Sequence, residues 1–351
     1  MTEQATTRTL DCPLPRAGDG ARVLLGHGAG GRLSAELLET LVLPAVAPGA
    51  GPLEDAAAVP TDETLVMTTD GFVVSPLFFP GGDIGALAVH GTVNDLAMRG
   101  AEPLALTVAL VVEEGLPLAE LRAVLDSLGA AARAVGVPVV AGDTKVVGRG
   151  HADRLFVTTT GVGRRLPGLS PSAAGARPGD AVLLSGPIGA HGTAVLSTRE
   201  GLGFATDVAS DTRPLHRLVR ALAPLGDAVH ALRDPTRGGL AASLNEIARD
   251  SGVEVEIDEA TVPVPEQVAA ACDLLGLDPL QVANEGCLVA FVAAGAADEA
   301  LRLLRSLPEG AAAVRVGETT EGPAGRVVLR TLVGARRIVE LPLGELLPRI
   351  C

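Results

Sequence analysis

The chain has 351 residues, 47% of them hydrophobic, and a formal net charge of −14; that is length for two domains of ordinary size and ample apolar matter for packed cores. So negative a charge argues against nucleic acid and anionic membranes as partners, since both are gripped by basic patches. No apolar run reaches the roughly 18 residues of a spanning helix, and with neither Trp nor Tyr and six Phe the core must be aliphatic.

Residues 1–21 are polar and Thr-rich without a hydrophobic centre, which predicts a disordered lead-in rather than a signal peptide. Gly26-His27-Gly28-Ala29-Gly30-Gly31 then runs into a helical stretch, Leu33 to Leu43. From residue 22 to 165 strand-like and helical segments alternate. Leu65 to Thr69 reads as a strand stopping at Asp70-Gly71, Ile84 to Arg99 as a helix closed by Gly100, and Leu104 to Val112 as a long β-rich run. Leu118 to Val135 is an amphipathic helix stopped by Gly136; Val137 to Ala141 is a strand ending at Gly142-Asp143, and Arg154 to Val162 another. That alternation predicts an α/β layer structure. A Pro-, Ser-, Gly- and Ala-rich stretch from Leu166 to Pro178 marks the domain boundary. A second α/β unit, placed at 176–335, contains strands at Ala181 to Ser185, Val253 to Ile257, Cys287 to Val292 and Ala312 to Val316. Its helices are Arg213 to Leu222 and Gly239 to Asp250, the latter with Leu240, Leu244, Ile247 and Ala248 on one face. Residues 336–351 are expected to form a tail.

The tail ends on a cysteine, Cys351. Its thiol shares a residue with the α-carboxylate, and a like charge that close raises the thiol pKa, whereas a fast nucleophile needs it lowered. The thiol therefore reads as a group that is modified and carried. Prenylation is excluded, because that cysteine would sit four residues from the end. The other cysteines, Cys12, Cys272 and Cys287, show no CxxC spacing and no nearby histidine pairs, so neither a zinc site nor a disulfide framework is indicated, and a reducing cytoplasm fits.

Asp55, Asp70, Asp95 and Asp143 stand where strands or helices are expected to meet turns. Carboxylates in such positions point into the crevice where α/β proteins bind ligands, and several together repel one another unless a hard cation such as Mg2+ intervenes. Combined with the glycine-rich segment, whose backbone amides suit phosphate, they predict a nucleoside triphosphate held by magnesium. It is not a P-loop, since no Gly-Lys-Ser/Thr follows. Taken alone, Lys145 reads as a solvated charge, Glu285 as a turn acid, Asp234 or Thr236 as a helix N-cap, and His191 as structural.

Together these residues resemble the hydrogenase expression/formation family HypE, within the ATP-binding superfamily of aminoimidazole ribonucleotide synthetase, selenophosphate synthetase and thiamine-monophosphate kinase. The resemblance runs from about Gly26 to Cys351. Its superfamily-level parts are the glycine-rich segment, Glu54-Asp55-Ala56-Ala57, Thr69-Asp70-Gly71, Gly91-Thr92-Val93-Asn94-Asp95 and Gly142-Asp143-Thr144-Lys145. Closer to HypE are Pro76-Leu77-Phe78-Phe79-Pro80-Gly81-Gly82, Asp234-Pro235-Thr236-Arg237-Gly238-Gly239, Asn284-Glu285-Gly286 and above all Pro348-Arg349-Ile350-Cys351. Glu54 departs from the pattern, standing where aspartate is common.

The resemblance implies a two-domain fold of mixed sheets covered by helices, with a flexible tail, and a homodimer formed through the first domain. It implies ATP and Mg2+ as cofactors. The nucleotide would lie against His27, Gly28, Gly30, Gly31, Asp70, Asn94, Asp95, Asp143 and Thr144, the metal on Asp55, Asp70, Asp95 and Asp143. It also implies a chemistry carried by Cys351, Glu285 and Lys145. Cys351 would receive a carbamoyl group from the carbamoyltransferase HypF, ATP would drive its dehydration from S-carbamoyl to S-cyano, and the cyano group would pass to iron on a HypC–HypD complex. Since one thiol must reach three places, Leu343 to Cys351 is expected to alternate between an inward placement, toward Lys145 and Glu285, and an outward one. Extended, the segment from Arg336 spans at most about 50 Å, which is ample. Two readings compete: another enzyme of the superfamily acting on a free small molecule, which would not need Cys351, and a carrier or scaffold for which ATP is only a conformational ligand.

Overall fold

The alternating segments fold into two sheets, one of five strands and one of seven, each covered by helices, the α/β class expected. The computed structural model describes residues 31–43, 54–59, 62–199, 207–342 and 349–351. The lead-in at 1–21, the glycine-rich segment as far as Gly30, and 343–348 of the tail lie outside the described residues.

In chain order the first unit holds α1 (Arg32–Leu37), β1 (Ala57–Val59), β2 (Asp62–Phe72), a hairpin of β3 (Phe78–Phe79) and β4 (Gly82–Asp83), α2 (Ile84–Met98), β5 (Ala101–Glu113), α3 (Leu118–Val135), β6 (Val139–Val147) and β7 (Leu155–Arg165). The sheet order is β1-β2-β7-β5-β6, with β5 and β6 parallel and the other pairs antiparallel. Side chains alternate across a strand, so Leu106, Val108, Leu110 and Val112 of β5 are buried with Val124, Leu128, Ala131 and Ala132 of α3. Among the described residues nothing covers the opposite face: Ala109, Thr69 and Thr158 are exposed there, and Met67 is 43% exposed.

Helix α2 is apolar nearly all round and is buried nearly all round, as such a helix must be. It lies between the first sheet, α3 and elements of the second domain. Asp83 caps it, its carboxylate accepting from the N–H groups of Gly85 and Ala86 at 2.7 and 3.1 Å. Gly91 lets it press on β2: a Cβ there would meet the Phe72 ring at 2.9 Å and lie 3.6 Å from the Asp70 carboxylate.

The second unit holds β8 (Ala181–Leu184), α4 (Ala190–Ser197), α5 (His216–Leu222), β9 (Val229–Arg233), α6 (Gly239–Ser251), β10 (Glu254–Asp258), α7 (Glu266–Leu275), β11 (Val289–Val292), α8 (Ala297–Arg305), β12 (Val314–Thr320), β13 (Arg326–Arg330) and β14 (Arg336–Ile338). Its sheet order is β14-β13-β10-β12-β8-β11-β9. Val182 and Leu184 of β8 pack with α6 on one face, Ala181 and Leu183 with α5 and α8 on the other. Cover on both faces is why these strands read as unbroken apolar runs.

Three expected boundaries shift. Strand β2 runs on through Asp70-Gly71, and β6 runs on through Asp143 and Lys145, because cross-strand pairing with β7 and β5 continues past the polar residues. Residues 336–338, expected to begin a tail, instead pair with β13 as an edge strand. Among the described residues no helix is long and apolar enough to cross a membrane.

Candidate active site

A cleft of about 580 Å3 opens where β2 and α2 face the turn after β9 and the turn before β11. Asp55, Asp70, Asp95, Asp234, Arg237, Glu285 and Cys351 line it, with Gly31 at one end. Asp55 precedes β1, Asp70 lies within β2, Asp95 sits in the last turn of α2, and Asp234 follows β9 directly.

Asp55, Asp95 and Asp234 each present a carboxylate oxygen, all within 4.8 Å of one another. Burial, then Asp234, Asp70 and Asp55, push the Asp95 carboxyl well above the usual carboxylate range, against the Thr68 hydroxyl, which donates to it at 2.7 Å. Asp234 is pushed up to about 7 by burial and next by Asp55. Burial also raises Asp55 and Asp70, opposed by Arg233 and Arg237 respectively. Arg233 bridges Asp55 at 3.1 Å and Glu246 at 2.6 Å, and two guanidiniums, Arg233 and Arg237, cannot neutralise Asp55, Asp70, Asp95, Asp234 and Glu246 together. Carboxylate oxygens gathered this closely, Asp234 buried and Asp55 and Asp95 half-buried, repel one another and fit a hard divalent cation of the Mg2+ kind.

Glu285 projects into the same cleft from a turn held on every side. Asn284 accepts from the Gly189 N–H at 2.5 Å and donates to the carbonyls of Pro235 and Val282 at 2.8 and 3.1 Å. The Asp211 carboxylate accepts from the N–H groups of Glu285 and Gly286 at 3.1 and 3.0 Å. The side chain itself is buried, and its Oε1 has no protein partner. Burial, with Asp234, Asp211 and Asp70 adding to it and Arg237 opposing, raises its proton affinity well above normal. A buried, unpartnered carboxyl oxygen facing a cleft is poised to exchange a proton with whatever enters.

What enters is the chain's own end. The Val73 N–H donates to the Cys351 main-chain oxygen at 3.0 Å and the Ser75 N–H to the Arg349 carbonyl at 3.3 Å. His191 Nε2 donates to the Ile350 carbonyl at 2.7 Å, and the Arg199 guanidinium to the Arg349 carbonyl at 2.7 Å. Ile350 is 1% exposed and belongs to the first domain's core. Burying it contributes about 1.5–3 kcal/mol, against about 0.5–1.5 kcal/mol for each hydrogen bond. The four hydrogen bonds together match or exceed the burial, so both hold the end in place, and the hydrogen bonds also set its register. Arg349 takes a left-handed backbone, φ 55°, which costs about 1–3 kcal/mol in a residue other than glycine. Its side chain offsets that by pairing with Asp153, donating to the Val73 carbonyl at 3.0 Å and lying over the Phe156 ring at 5.9 Å.

Burial raises the Cys351 thiol far above its usual value; Arg237 pulls it down, while Glu285, Asp70 and Asp234 push it up. The direction is the one expected from the α-carboxylate, but burial is the largest cause. Residues 349–351 thus show an inward placement beside Glu285.

Other expected site residues lie elsewhere. His27, Gly28 and Gly30 fall outside the described residues. Asp143, Thr144 and Lys145 do not line the cleft: they lie on edge strand β6, where Lys145 and Asp143 pair at 2.7 Å with side chains 69% and 60% exposed. Strand β6 is three places from β2 in the sheet, about 14 Å at ~4.8 Å per strand, so within one chain Asp143 and Asp70 cannot share an ion. Asn94 is fully buried and serves the framework: its Oδ1 accepts from the Leu215 N–H at 2.7 Å and its Nδ2 donates to the Arg213 and Glu285 carbonyls at 3.1 and 3.4 Å. Glu54 is taken up by Arg99 at 2.9 Å and by the Ala173 N–H at 2.8 Å.

Residues 53–165 match the family model of the AIR synthase related protein N-terminal domain, and 177–330 that of the C-terminal domain. The carbamoyl dehydratase HypE of Cupriavidus necator is 53% identical over 333 residues, which are 94% of this chain and 95% of that protein. The chain belongs to the HypE family of carbamoyl dehydratases. HypE as solved in a HypE–HypF complex superposes with a TM-score of 0.84 at 46% identity, covering 87% of this chain and 99% of that one. HypE solved in complex with ATP gives 0.79 at 46% identity, covering 94% and 100%.

Sequence reading had left Asp234, Arg237, Asp211 and His191 out of the HypE-family site. A local signal exists for the first two, in the segment Asp234-Pro235-Thr236-Arg237-Gly238-Gly239. Neither Asp234 nor Thr236 caps α6; the cap position is Gly238, with no side-chain bond, which leaves the Asp234 carboxylate for the cleft. Nothing local marks Asp211 or His191, whose partners are distant in the chain.

Proposed function

We propose that this HypE-family chain uses ATP to dehydrate an S-carbamoyl group on its own Cys351 to a thiocyanate, and then yields the cyano group to iron on a HypC–HypD complex for a [NiFe]-hydrogenase centre. The observation that carries the reading is the seat of Cys351, a half-buried terminal cysteine lining one cleft with Glu285, Asp70, Asp234 and Arg237. A HypF-type carbamoyltransferase loads the thiol; the solved HypE–HypF complex of a relative supports that partner, and the ATP-bound relative supports the nucleotide. The chemistry belongs to a reducing cytoplasm, where the thiol stays free.

Dehydration removes one oxygen and two N–H protons and keeps the S–C bond. Phosphoryl transfer from ATP to the carbamoyl oxygen turns that oxygen into a leaving group, so it departs as phosphate with one proton, and the second proton is released. Asp55, Asp95 and Asp234, with Asp70 beside them, would hold Mg2+, which would supply charge neutralisation to a transferring phosphoryl group. Glu285 takes an N–H proton through its unpartnered oxygen, and the Arg237 cation faces the charge that develops beside the sulfur. Docking of the tail makes the encounter intramolecular. Lys145, assigned to assist deprotonation or steady developing charge, works from a second copy: the uncovered face of the first sheet pairs two chains, and β6 of one brings Asp143, Thr144 and Lys145 to the cleft of the other.

Intact mass after incubation with HypF, carbamoyl phosphate and ATP tests the reading. A carbamoyl adduct on Cys351 should form and then lose one water, only with ATP and Mg2+ present. An adduct that persists unchanged with ATP would leave the carrier reading instead.

A further inference from the structure

We propose that His191, assisted by Arg199, is the positioning residue that seats Cys351 against Glu285, and that the loop Ser210 to Thr212 sets both partners to one register. The inference rests on the reading of Cys351 as the reacting group. It concerns a histidine on α4 that takes no part in the metal cluster and does not line the cleft.

His191 is fully buried, and its Nε2 lies 2.7 Å from the Ile350 carbonyl. A carbonyl only accepts, so Nε2 carries the proton. Burial disfavours the charged ring, so Nδ1 is the acceptor, and the Ser210 hydroxyl at 2.8 Å donates to it. The Ser210 oxygen in turn accepts from the Thr212 N–H at 3.1 Å. Every donor in this relay has one acceptor, which fixes a single tautomer. The Phe79 ring stands edge-on to the imidazole, centroids 5.3 Å apart at 89°, and fixes its tilt.

The residue between the two relay members does a second job. Asp211 accepts from the N–H groups of Glu285 and Gly286 at 3.1 and 3.0 Å. Three consecutive residues therefore fasten the tail through His191 and fasten the acid through its own backbone. Arg199 adds a second grip, donating to the Arg349 carbonyl at 2.7 Å and the Ser75 carbonyl at 3.0 Å, which ties the tail to the segment beside it. His191 and Arg199 hold main-chain oxygens of the two residues immediately before Cys351. Burial of Ile350 is non-directional and would tolerate a slide along the groove; hydrogen bonds to successive carbonyls do not.

The test measures alkylation of Cys351 in the full-length protein by iodoacetamide, mapped to the residue by mass spectrometry, with Cys272 and Cys287 as internal controls. His191→Leu and Arg199→Met should each speed alkylation of Cys351 by about tenfold, the effect of losing one well-placed hydrogen bond, while the control cysteines of the folded variants react at the parent rate. His191→Gln, which keeps an N–H donor near the Nε2 position, should return the rate to near that of the parent chain. If His191→Leu does not fold, Arg199→Met and Ser210→Ala carry the measurement. Folded variants that alkylate at the parent rate overturn the proposal, and so does His191→Gln reacting as fast as His191→Leu. Alkylation reports where the thiol sits whether or not it is the reacting group, so this result stands apart from the dehydration assay on carbamoylated protein.

Discussion

Asp234 shows what a buried acid does to its own protein. Its proton affinity is raised from the ordinary 3.8 to about 7 in the fold, so the folded state holds a proton that the unfolded chain has already released. That contribution to stability is complete below the ordinary value and is lost as pH rises through about 7. Asp234→Asn should therefore raise stability without metal at pH 8 by about 1–2 kcal/mol, the order of an unpaired buried polar group, and change little at pH 4. Mg2+ should stabilise the parent chain more at pH 8 than at pH 5, since it competes with protons for the same oxygens, and stabilise Asp234→Asn scarcely at all. Thermal melts with and without Mg2+ at the two pH values decide it; equal metal shifts in both proteins would remove Asp234 from the cation site.

Among the elements, α2 joins site to scaffold. One helix carries Asp95 into the cleft, buries Asn94 against the backbone of the second domain, and packs Gly91 on β2. Gly91→Ala should cost about 1–3 kcal/mol, because the added methyl overpacks against Phe72. Phe72 is followed by Val73, whose N–H holds the chain end, so the same substitution should loosen Cys351. Denaturant melts paired with Cys351 alkylation check both effects; full stability would contradict the packing account. Helices α2, α3 and α6 were legible in sequence, since each carries its own apolar pattern and stop signal within a single segment. Strands β9 and β13 and helices α4, α7 and α8 were not anticipated. Helix α4 opens on Ala190-His191-Gly192 with glycines on either side, a pattern that reads as a turn until packing decides otherwise.

For the molecule as a whole, the proposed pairing of two chains rests on the open face of the first sheet. It presents Ala109, Thr69, Thr158 and Met67 without cover from the described residues, and an arginine at its centre cannot be buried unpaired. Ala109→Arg should give a folded monomer by light scattering and circular dichroism, and lose ATP-dependent dehydration; a dimer that survives the substitution would place the contact elsewhere. If β6 serves the partner's cleft, Cys351→Ser and Lys145→Ala should each be inactive alone, while subunits re-paired at random should recover about a quarter of the parent rate, as half the dimers then hold one complete site. No recovery in verified mixed dimers would mean that Lys145 acts within its own chain or not at all.

By itself the sequence determined the two-domain α/β class and the family, and it picked out Asp55, Asp70 and Asp95 of the first domain, Glu285 and the terminal cysteine, all of which line the cleft. These follow from local patterns and from motifs whose residues are adjacent in the chain. Tertiary structure alone decided which of those acids meet. Asp234, from the second domain, joins Asp55 and Asp95, while Asp143 is carried three strands away by a sheet order that no local signal encodes. It likewise decided that Asn94 is framework and that His191 faces the tail, because a buried polar side chain takes its role from whichever distant group satisfies it. Strand order and domain docking are long-range outcomes of burying apolar surface, and that is where sequence periodicity has no reach.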